Sequence, residues 1–161
     1  MTLELRTAAS TKTLDAAATK ARCPDHVAGD TFYAATANDY RGEFRGMAEA
    51  WGGNGRDSLA HIAYPSFSTK DVHLRTCAWL DATTHAPIWW TDHQRRSFYI
   101  ASVSAYHVDS TDVSANKQIW SWVARDEANG VQDSSICGAA FNSIVRIEGS
   151  RGGVWDPITL T

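Results

Sequence analysis

The densest group of chemically capable side chains in this sequence lies within one stretch of fifteen residues, 79–93. Two acids, two histidines and three tryptophans occupy it: Asp81, Asp92, His85, His93, Trp79, Trp89 and Trp90. Carboxylates and imidazoles can pair hydroxyl groups, and a flat aromatic ring can stack on the apolar face of a ligand. Because adjacent residues of a strand point to opposite faces, either Trp89 or Trp90 is expected to face away from the core. The outward ring is then a ligand platform or an oligomer contact.

A second candidate site is the predicted loop 51–57, which begins with Trp51 and ends with Arg56 and Asp57. Its three glycines permit close backbone approach, and the arginine and aspartate could hold the hydroxyl groups of a polyol. The alternative is a long hairpin loop whose glycines serve only the backbone geometry. No buried strand followed by a helix is predicted here, so the loop is not a nucleotide-binding fingerprint.

Metal binding and catalysis have less support from the spacing of residues. The histidines show no His-x-His or His-x₃-His pattern, and we predict no metal and no other cofactor. Tyr106 and His107 beside Asp109 and Asp112 could form an acid–base set, but a Gly-x-Ser-x-Gly nucleophile motif is absent from the sequence. Two alternatives therefore stay open beside ligand binding: a small cyclase or isomerase that uses a His/Asp pair, and a structural protein that assembles through its tryptophans.

Composition excludes several classes of protein. The chain has 161 residues, of which 43% are hydrophobic and 20% charged, as in an ordinary globular domain. Its net charge of −3 argues against a nucleic-acid or anionic-membrane partner. The sequence has no apolar run long enough to span a membrane, and the first residues do not resemble a signal peptide. We expect a cytoplasmic or non-classically secreted protein, in which Cys23, Cys77 and Cys137 form no disulfide framework, although a single bridge is possible.

The elements that must position these residues are predicted to be strands. Residues 1–30 form an arm that is irregular or contains a short helix near 10–21. Runs of β-branched and aromatic residues then alternate with polar turns at spacings typical of a sandwich or barrel. The predicted strands are 31–37, 43–47, 59–64, 73–80, 88–90, 98–108, 119–123, 131–137, 142–147 and 155–160. The predicted fold class is therefore an all-β, antiparallel β-sandwich.

One junction in the chain resembles a known family. Ile62-Ala63-Tyr64-Pro65, followed by residues 67–72 (Phe-Ser-Thr-Lys-Asp-Val), is similar to the junction between tandem units of fungal H-type lectin-domain proteins. The resemblance implies a partial first unit at 31–65 and a second unit at 66–161. It also implies β-sandwich units that assemble into oligomers and bind galactose or N-acetylgalactosamine between neighbouring units.

The resemblance also places the family's sugar-binding residues, with one departure. The loop acid corresponds to Asp81 and the hairpin tryptophan to Trp51, but the family's arginine falls on Thr31 and Gln118. We therefore predict a lectin rather than an enzyme, with glycans as partners, a homo-oligomeric state, and no nucleic-acid or membrane contact. The segment 81–93 and the loop 51–57 are expected to form two walls of one site. Its predicted residues are Trp51, Arg56, Asp57, Asp81, His85, Trp89, Trp90 and Asp92.

Overall fold

Three helices and an eight-stranded antiparallel sheet make up the part of the chain that the computed structural model describes: residues 13–35, 39–54, 56–63, 70–85, 97–108, 118–126, 131–138 and 143–155. The helices are α1 (Ala16–Arg22), α2 (Gly29–Ala35) and α3 (Val72–Thr83), with a short 3-10 helix at Gly42–Phe44. The strands are β1 (Asp25–Ala28), β2 (Met47–Gly52), β3 (Asp57–Ala63), β4 (Ser97–Ser102), β5 (Ala105–Val108), β6 (Gln118–Asp126), β7 (Val131–Cys137) and β8 (Ser143–Trp155).

The strands lie in the order β1-β2-β3-β6-β7-β8-β4, and β5 also pairs with β8. Strand β8 has 13 residues, which is long enough to pair with β5 along one part and β4 along another. Gly149 lies between these two parts with a positive φ of 62°, and a Cβ at this position would collide with the side chain of Ser104. Glycine is therefore required where β8 passes from one partner to the other.

Helix α3 forms because its first turn is capped and one of its faces is apolar. The Asp71 carboxylate accepts hydrogen bonds from the backbone N–H groups of His73 and Leu74, at 2.8 and 3.2 Å. This is the usual role of an aspartate before a helix, and the bonds hold the pKa of Asp71 below its ordinary value. The buried residues of the helix face are Ala78, Trp79 and Ala82, which pack against Ile62, Ile119, Ile144, Val145 and Ile147 of the sheet.

The predicted β-sandwich is wrong, because a helix covers the sheet where a second sheet was expected. Segment 73–80, predicted as a strand, lies inside α3, and most of segment 31–37, predicted as a strand, lies inside α2. Asp71 caps α3, and its buried residues Ala78, Trp79 and Ala82 share one face against the sheet, and this packing outweighs local strand propensity. In α2, Phe32 and Tyr33 favour a strand by type, but Phe32 is buried against β1, β2, β3 and β6 from a helix.

Other predicted elements are confirmed. Strands at 119–123 and 131–137 correspond to β6 and β7, which form a hairpin in which Trp122 pairs with Ser135. The segment near 10–21, for which a short helix was predicted, overlaps α1. The boundary expected near residue 65 lies outside the described residues. The three cysteines are free: Cys23 and Cys137 are buried and Cys77 is exposed. In the described part of the chain, the helices are all too short or too polar to cross a membrane.

The two faces of the sheet have different coverings. On the face beneath α2 and α3 lie alternate strand residues such as Ala60 and Ile62. Leu59, which precedes Ala60, points to the opposite face, where it packs with Leu14, Ala16 and Cys137. We call the face beneath α2 and α3 the helix face. We call the opposite face the tryptophan face, because Trp51, Trp120 and Trp122 pack there against the cluster that contains Leu59.

Candidate functional site

A fully buried histidine lies just beyond the end of α3, on the helix face. His85 has no exposed surface, and three aromatic rings surround it. The ring centroids of Phe32, Tyr33 and Tyr40 lie 5.9, 5.7 and 4.3 Å from that of His85. An imidazole enclosed in this way cannot contact a ligand directly, so its effect must pass through its hydrogen-bonding neighbours.

Tyr33 is one of those neighbours and is itself held by the sheet. Its hydroxyl oxygen lies 3.0 Å from Nδ1 of His85 and accepts a hydrogen bond of 2.9 Å from the backbone N–H of Met47. Burial raises the pKa of the Tyr33 phenol, and this outweighs the opposing effect of the Met47 N–H. Gly29 permits this approach, because a Cβ there would collide with the Met47 carbonyl oxygen and force α2 away from β2.

Asp81, in the last turn of α3, is the second neighbour of His85. Its Oδ2 lies 3.4 Å from Nε2 of His85, four residues further along. Both atoms are buried, and neither has a hydrogen-bond partner among the described residues, so the two lie close together without a hydrogen bond between them. The Asp81 side chain is nevertheless 39% exposed. Since Oδ2 is buried, the exposed part of the carboxylate is its other oxygen, so Asp81 faces the histidine on one side and the surface on the other.

Hydrogen bonds hold the end of α3 in place. The Ser121 hydroxyl on β6 donates to the Thr83 carbonyl oxygen at 2.7 Å, and this bond is buried. Within the last turn, the hydroxyl groups of Thr83 and Thr84 donate to the carbonyl oxygens of Leu80 and Asp81, at 2.5 and 2.7 Å. The turn that carries Asp81 is thus fixed to the sheet as well as to its own helix.

The tryptophan face carries a second aromatic cluster, centred on Trp51 of β2. The Lys20 ammonium group lies 3.7 Å from the Trp51 ring centroid and 4.7 Å from that of Trp120, and the two indoles are 6.0 Å apart. His26 stacks on Trp51 at 5.0 Å, and His61 stacks on Trp120 at 4.5 Å. A protein cation from α1 therefore already occupies the space between the two indoles.

Asp57 and Arg56 lie at the start of β3. The Asp57 carboxylate accepts hydrogen bonds from Arg22 Nε at 3.1 Å and from the Trp122 indole N–H at 3.2 Å. Its side chain is only 13% exposed, so these bonds tie α1 and β6 to β3. Arg56 is exposed, and its backbone N–H donates to Asn54 Oδ1 at 2.8 Å.

The structure brings together only part of the predicted site. Asp81 and His85 are adjacent on the helix face, whereas Trp51 and Asp57 lie on the tryptophan face, across the sheet from them. Three predicted residues lie outside the described residues: Trp89, Trp90 and Asp92. The same holds for the acids of the alternative acid–base set, Asp109 and Asp112, while His107 Nε2 lies 3.3 Å from Glu148 Oε2.

Sequence reasoning missed the aromatic residues that enclose His85, because Phe32 and Tyr33 come from a segment predicted as a strand and Tyr40 from the predicted turn after it. The available signal was the spacing of four residues between Asp81 and His85, which brings two side chains together on a helix but not on a strand. Within the described ranges, no group of three or more histidine, cysteine or acidic residues could hold a metal ion.

Several solved structures that are similar to this chain are dehydratase domains. The chain matches the dehydratase domain from the CurF module of curacin polyketide synthase with a TM-score of 0.73 and 19% identity, covering 92% of this chain and 55% of that one. For the domain from the CurK module the TM-score is 0.71, with 18% identity and coverage of 94% and 55%. For a trans-AT polyketide synthase dehydratase domain from Brevibacillus brevis it is 0.69, with 16% identity and coverage of 94% and 56%. The chain thus spans just over half the length of these domains.

No protein-family model matches the chain, and no curated protein matches its sequence. The structural matches nevertheless overturn the H-type lectin resemblance, and with it the predicted lectin function and glycan partners. The resemblance depended on the junction after Ile62, where a new sandwich unit was expected. In the structure Asp71 and Val72 begin a helix there instead of a strand. The described chain has the hotdog fold of the dehydratase domains, in which a helix packs against an antiparallel sheet.

Proposed function

We propose that this chain contributes the carboxylate half of a dehydratase-type acid–base site, with Asp81 as the catalytic residue and His85 as its positioning residue. The observation that supports these roles is the difference in exposure within the pair. His85 has no exposed surface, whereas the Asp81 side chain is 39% exposed. Asp81 is therefore the member that can reach a substrate.

The proposed reaction is the reversible removal of water from a β-hydroxyacyl thioester. A base takes a proton from the carbon next to the thioester carbonyl, and the electrons of that C–H bond form the carbon–carbon double bond. The bond to the β-hydroxyl breaks as an acid protonates the departing oxygen, so water leaves. In its protonated form the Asp81 carboxyl group can donate that proton, and in the reverse direction its carboxylate accepts a proton from the attacking water.

The solved relatives support a site made from an aspartate and a histidine. One inactive CurK dehydratase carries asparagine in place of an aspartate, and another carries phenylalanine in place of a histidine. An inactive CurJ dehydratase also has a histidine replaced by phenylalanine. The two CurK positions are further apart along that protein than this whole chain is long. A chain of this length therefore corresponds to one of the two groups, and we assign it the aspartate.

We infer that the base, which removes the proton from the carbon next to the thioester carbonyl, comes from a second domain with the same fold. Among the described histidines other than His85, those at positions 26, 61 and 107 lie in the strands of the sheet, and His73 is exposed two turns before Asp81. His93 lies outside the described residues. Strand β4 ends the sheet and pairs with β8 alone among the described strands, so its free edge can accept a strand from a second copy of this chain, which supplies the base.

The test is turnover of small acyl thioesters by the purified chain. We expect hydration of a 2-enoyl pantetheine thioester and dehydration of its 3-hydroxy product, with a rate per chain that rises as light scattering shows association. Asp81→Asn should lower kcat/KM by about 100-fold or more, because it removes the acid–base group. Lys70→Gln, an exposed substitution just before the same helix, is the control and should keep wild-type activity. An associated wild-type chain without activity, or an active Asp81→Asn variant, would contradict the proposal.

A further inference from the structure

The two ring nitrogens of His85 have different surroundings, and only one arrangement of protons fits both. Nδ1 lies 3.0 Å from the Tyr33 hydroxyl oxygen, and Nε2 lies 3.4 Å from Asp81 Oδ2. A neutral imidazole has one N–H donor and one acceptor nitrogen. The question is which nitrogen carries the hydrogen, and the answer decides what Asp81 experiences.

The backbone of β2 answers this question through Tyr33. The Met47 N–H can only donate, and it donates to the Tyr33 oxygen at 2.9 Å. The phenol keeps its own hydrogen, because burial raises its pKa and so disfavours the phenolate. Among the described residues, Nδ1 of His85 is the acceptor placed to receive that hydrogen.

We propose that Tyr33 is a positioning residue that holds His85 in the tautomer with its hydrogen on Nε2. Nδ1 accepts from the phenol, and the Nε2–H group lies beside Asp81 Oδ2, 3.4 Å away, in a favourable electrostatic contact rather than a hydrogen bond. The opposite tautomer would present a nitrogen lone pair to a carboxylate oxygen, which is repulsive, and would leave the phenol hydrogen without this acceptor. Four groups follow one another in this order: the Met47 N–H, the Tyr33 hydroxyl, the His85 ring and the Asp81 carboxylate. The Met47 N–H, at one end, therefore determines which nitrogen of His85 carries the hydrogen.

This arrangement leaves the exposed oxygen of Asp81 free for the substrate while the buried oxygen faces His85. The catalytic importance of Tyr33 rests on the proposed function, whereas the tautomer of His85 does not. In serine proteases, an aspartate that holds a histidine in the correct tautomer has a large effect on catalysis. Here the order is reversed, since the buried histidine supports the aspartate and the tyrosine supports the histidine.

The experiment is long-range ¹H–¹⁵N correlation spectroscopy of the full chain with ¹⁵N-labelled histidine, near neutral pH. His85→Gln identifies the His85 signals. In the wild type we expect a protonated Nε2 and an unprotonated Nδ1 with the shift of a hydrogen-bonded acceptor. Tyr33→Phe should remove that acceptor shift and lower the fraction with hydrogen on Nε2. Tyr40→Phe removes a hydroxyl from the neighbouring ring, 4.3 Å from His85, and should leave the tautomer unchanged.

Kinetics provide a second readout. Tyr33→Phe should lower kcat by roughly 10- to 100-fold and leave KM nearly unchanged, because Tyr33 acts through His85 rather than on the substrate. A wild-type His85 with its hydrogen on Nδ1 would overturn the inference even if the chain is an active dehydratase, and so would a Tyr33→Phe variant with unchanged tautomer and kcat. Conversely, the expected tautomer in a chain without turnover would uphold the tautomer assignment and contradict only the proposed function.

Discussion

Each face of the sheet places a histidine among aromatic rings, but the two histidines have different polar neighbours. On the tryptophan face, His61 stacks on Trp120 and lies 3.6 Å from Glu49, which also contacts His26 at 3.2 Å. On the helix face, His85 is fully enclosed and its acidic neighbour Asp81 is part exposed.

From this difference we infer that the aromatic residues of the tryptophan face serve packing, whereas the helix face carries the candidate site. On the tryptophan face the charged groups have partners within that face: Lys20 lies over two indoles, and Asp57 accepts from Arg22 and Trp122. The helix face also holds several large rings, but there the part-exposed carboxylate of Asp81 lies beside a buried histidine. A cluster of tryptophans is therefore a weaker sign of a functional site than a carboxylate with one oxygen buried beside a histidine and the other oxygen exposed.

The largest effect is expected at the packing that carries α3. Trp79 is fully buried, two residues before Asp81. Trp79→Ala should lower the free energy of unfolding by about 3–5 kcal/mol, because it leaves a large cavity between α3 and the sheet. Leu74→Ala, on the same helix at a residue that is 43% exposed, should change it by less than about 0.5 kcal/mol. Urea unfolding of both variants measures this, and similar values for the two would show that α3 does not pack as described.

The next effect concerns the support of Asp81. His85→Leu removes both polar contacts of the ring, and kcat should fall by about 100-fold, which corresponds to roughly 2.7 kcal/mol. His85→Gln should keep much more activity, because its amide oxygen can accept from Tyr33 and its N–H₂ group can donate to Asp81. Steady-state kinetics of the two variants test this. Equal losses would mean that His85 acts by size alone.

The bond between the sheet and the last turn of α3 should have a smaller effect. Ser121→Ala leaves the buried Thr83 carbonyl oxygen without its 2.7 Å donor and should lower the free energy of unfolding by about 1–3 kcal/mol. Ser104→Ala removes an exposed hydroxyl that donates to the Gly149 carbonyl oxygen at 3.4 Å, and the loss should be smaller. Thermal and urea unfolding compare the two. A larger loss for Ser104→Ala would contradict the assigned role of Ser121.

The smallest effect is expected on the tryptophan face. Lys20→Gln removes the cation from the two indoles and should lower the free energy of unfolding by about 0.5–1 kcal/mol, with unchanged thioester turnover. Lys70→Gln, an exposed lysine before α3, is the charge-matched control and should have no effect on stability. A clear loss of turnover in Lys20→Gln, measured at a temperature where it is folded, would link this face to the site.

Much of the sheet could be predicted from the sequence. Alternating apolar residues and a polar turn identify β6 and β7, because a hairpin is specified by neighbours in sequence. Helices α2 and α3 could not be found in this way. Thr31, Phe32 and Tyr33 favour strands individually, and only packing against distant strands makes their segment helical. For α3, the capping residue Asp71 was visible in the sequence but was interpreted as part of a lectin-like junction.

The candidate site was predictable only in part, because some of its contacts are between residues close in sequence and others are between distant segments. Asp81 and His85 stood out by residue type, and a helical assignment of their segment would have placed them together. Tyr33 and Met47 carry no local signal, since their hydrogen bonds depend on α2 lying against β2. Trp51 was selected for its aromatic ring, and sequence alone does not show which face of a sheet a ring will occupy when both faces are covered.

The claim that the working site lies on the helix face can be tested directly by mapping a bound ligand. The probe is a non-reactive acyl-pantetheine in which an amide replaces the thioester, titrated into the ¹⁵N-labelled chain. We expect backbone shifts at the end of α3, around Asp81 and His85, with the indole N–H signals of Trp51 and Trp120 unchanged. Shifts confined to those indoles, with the end of α3 unaffected, would contradict the account and place the site on the tryptophan face.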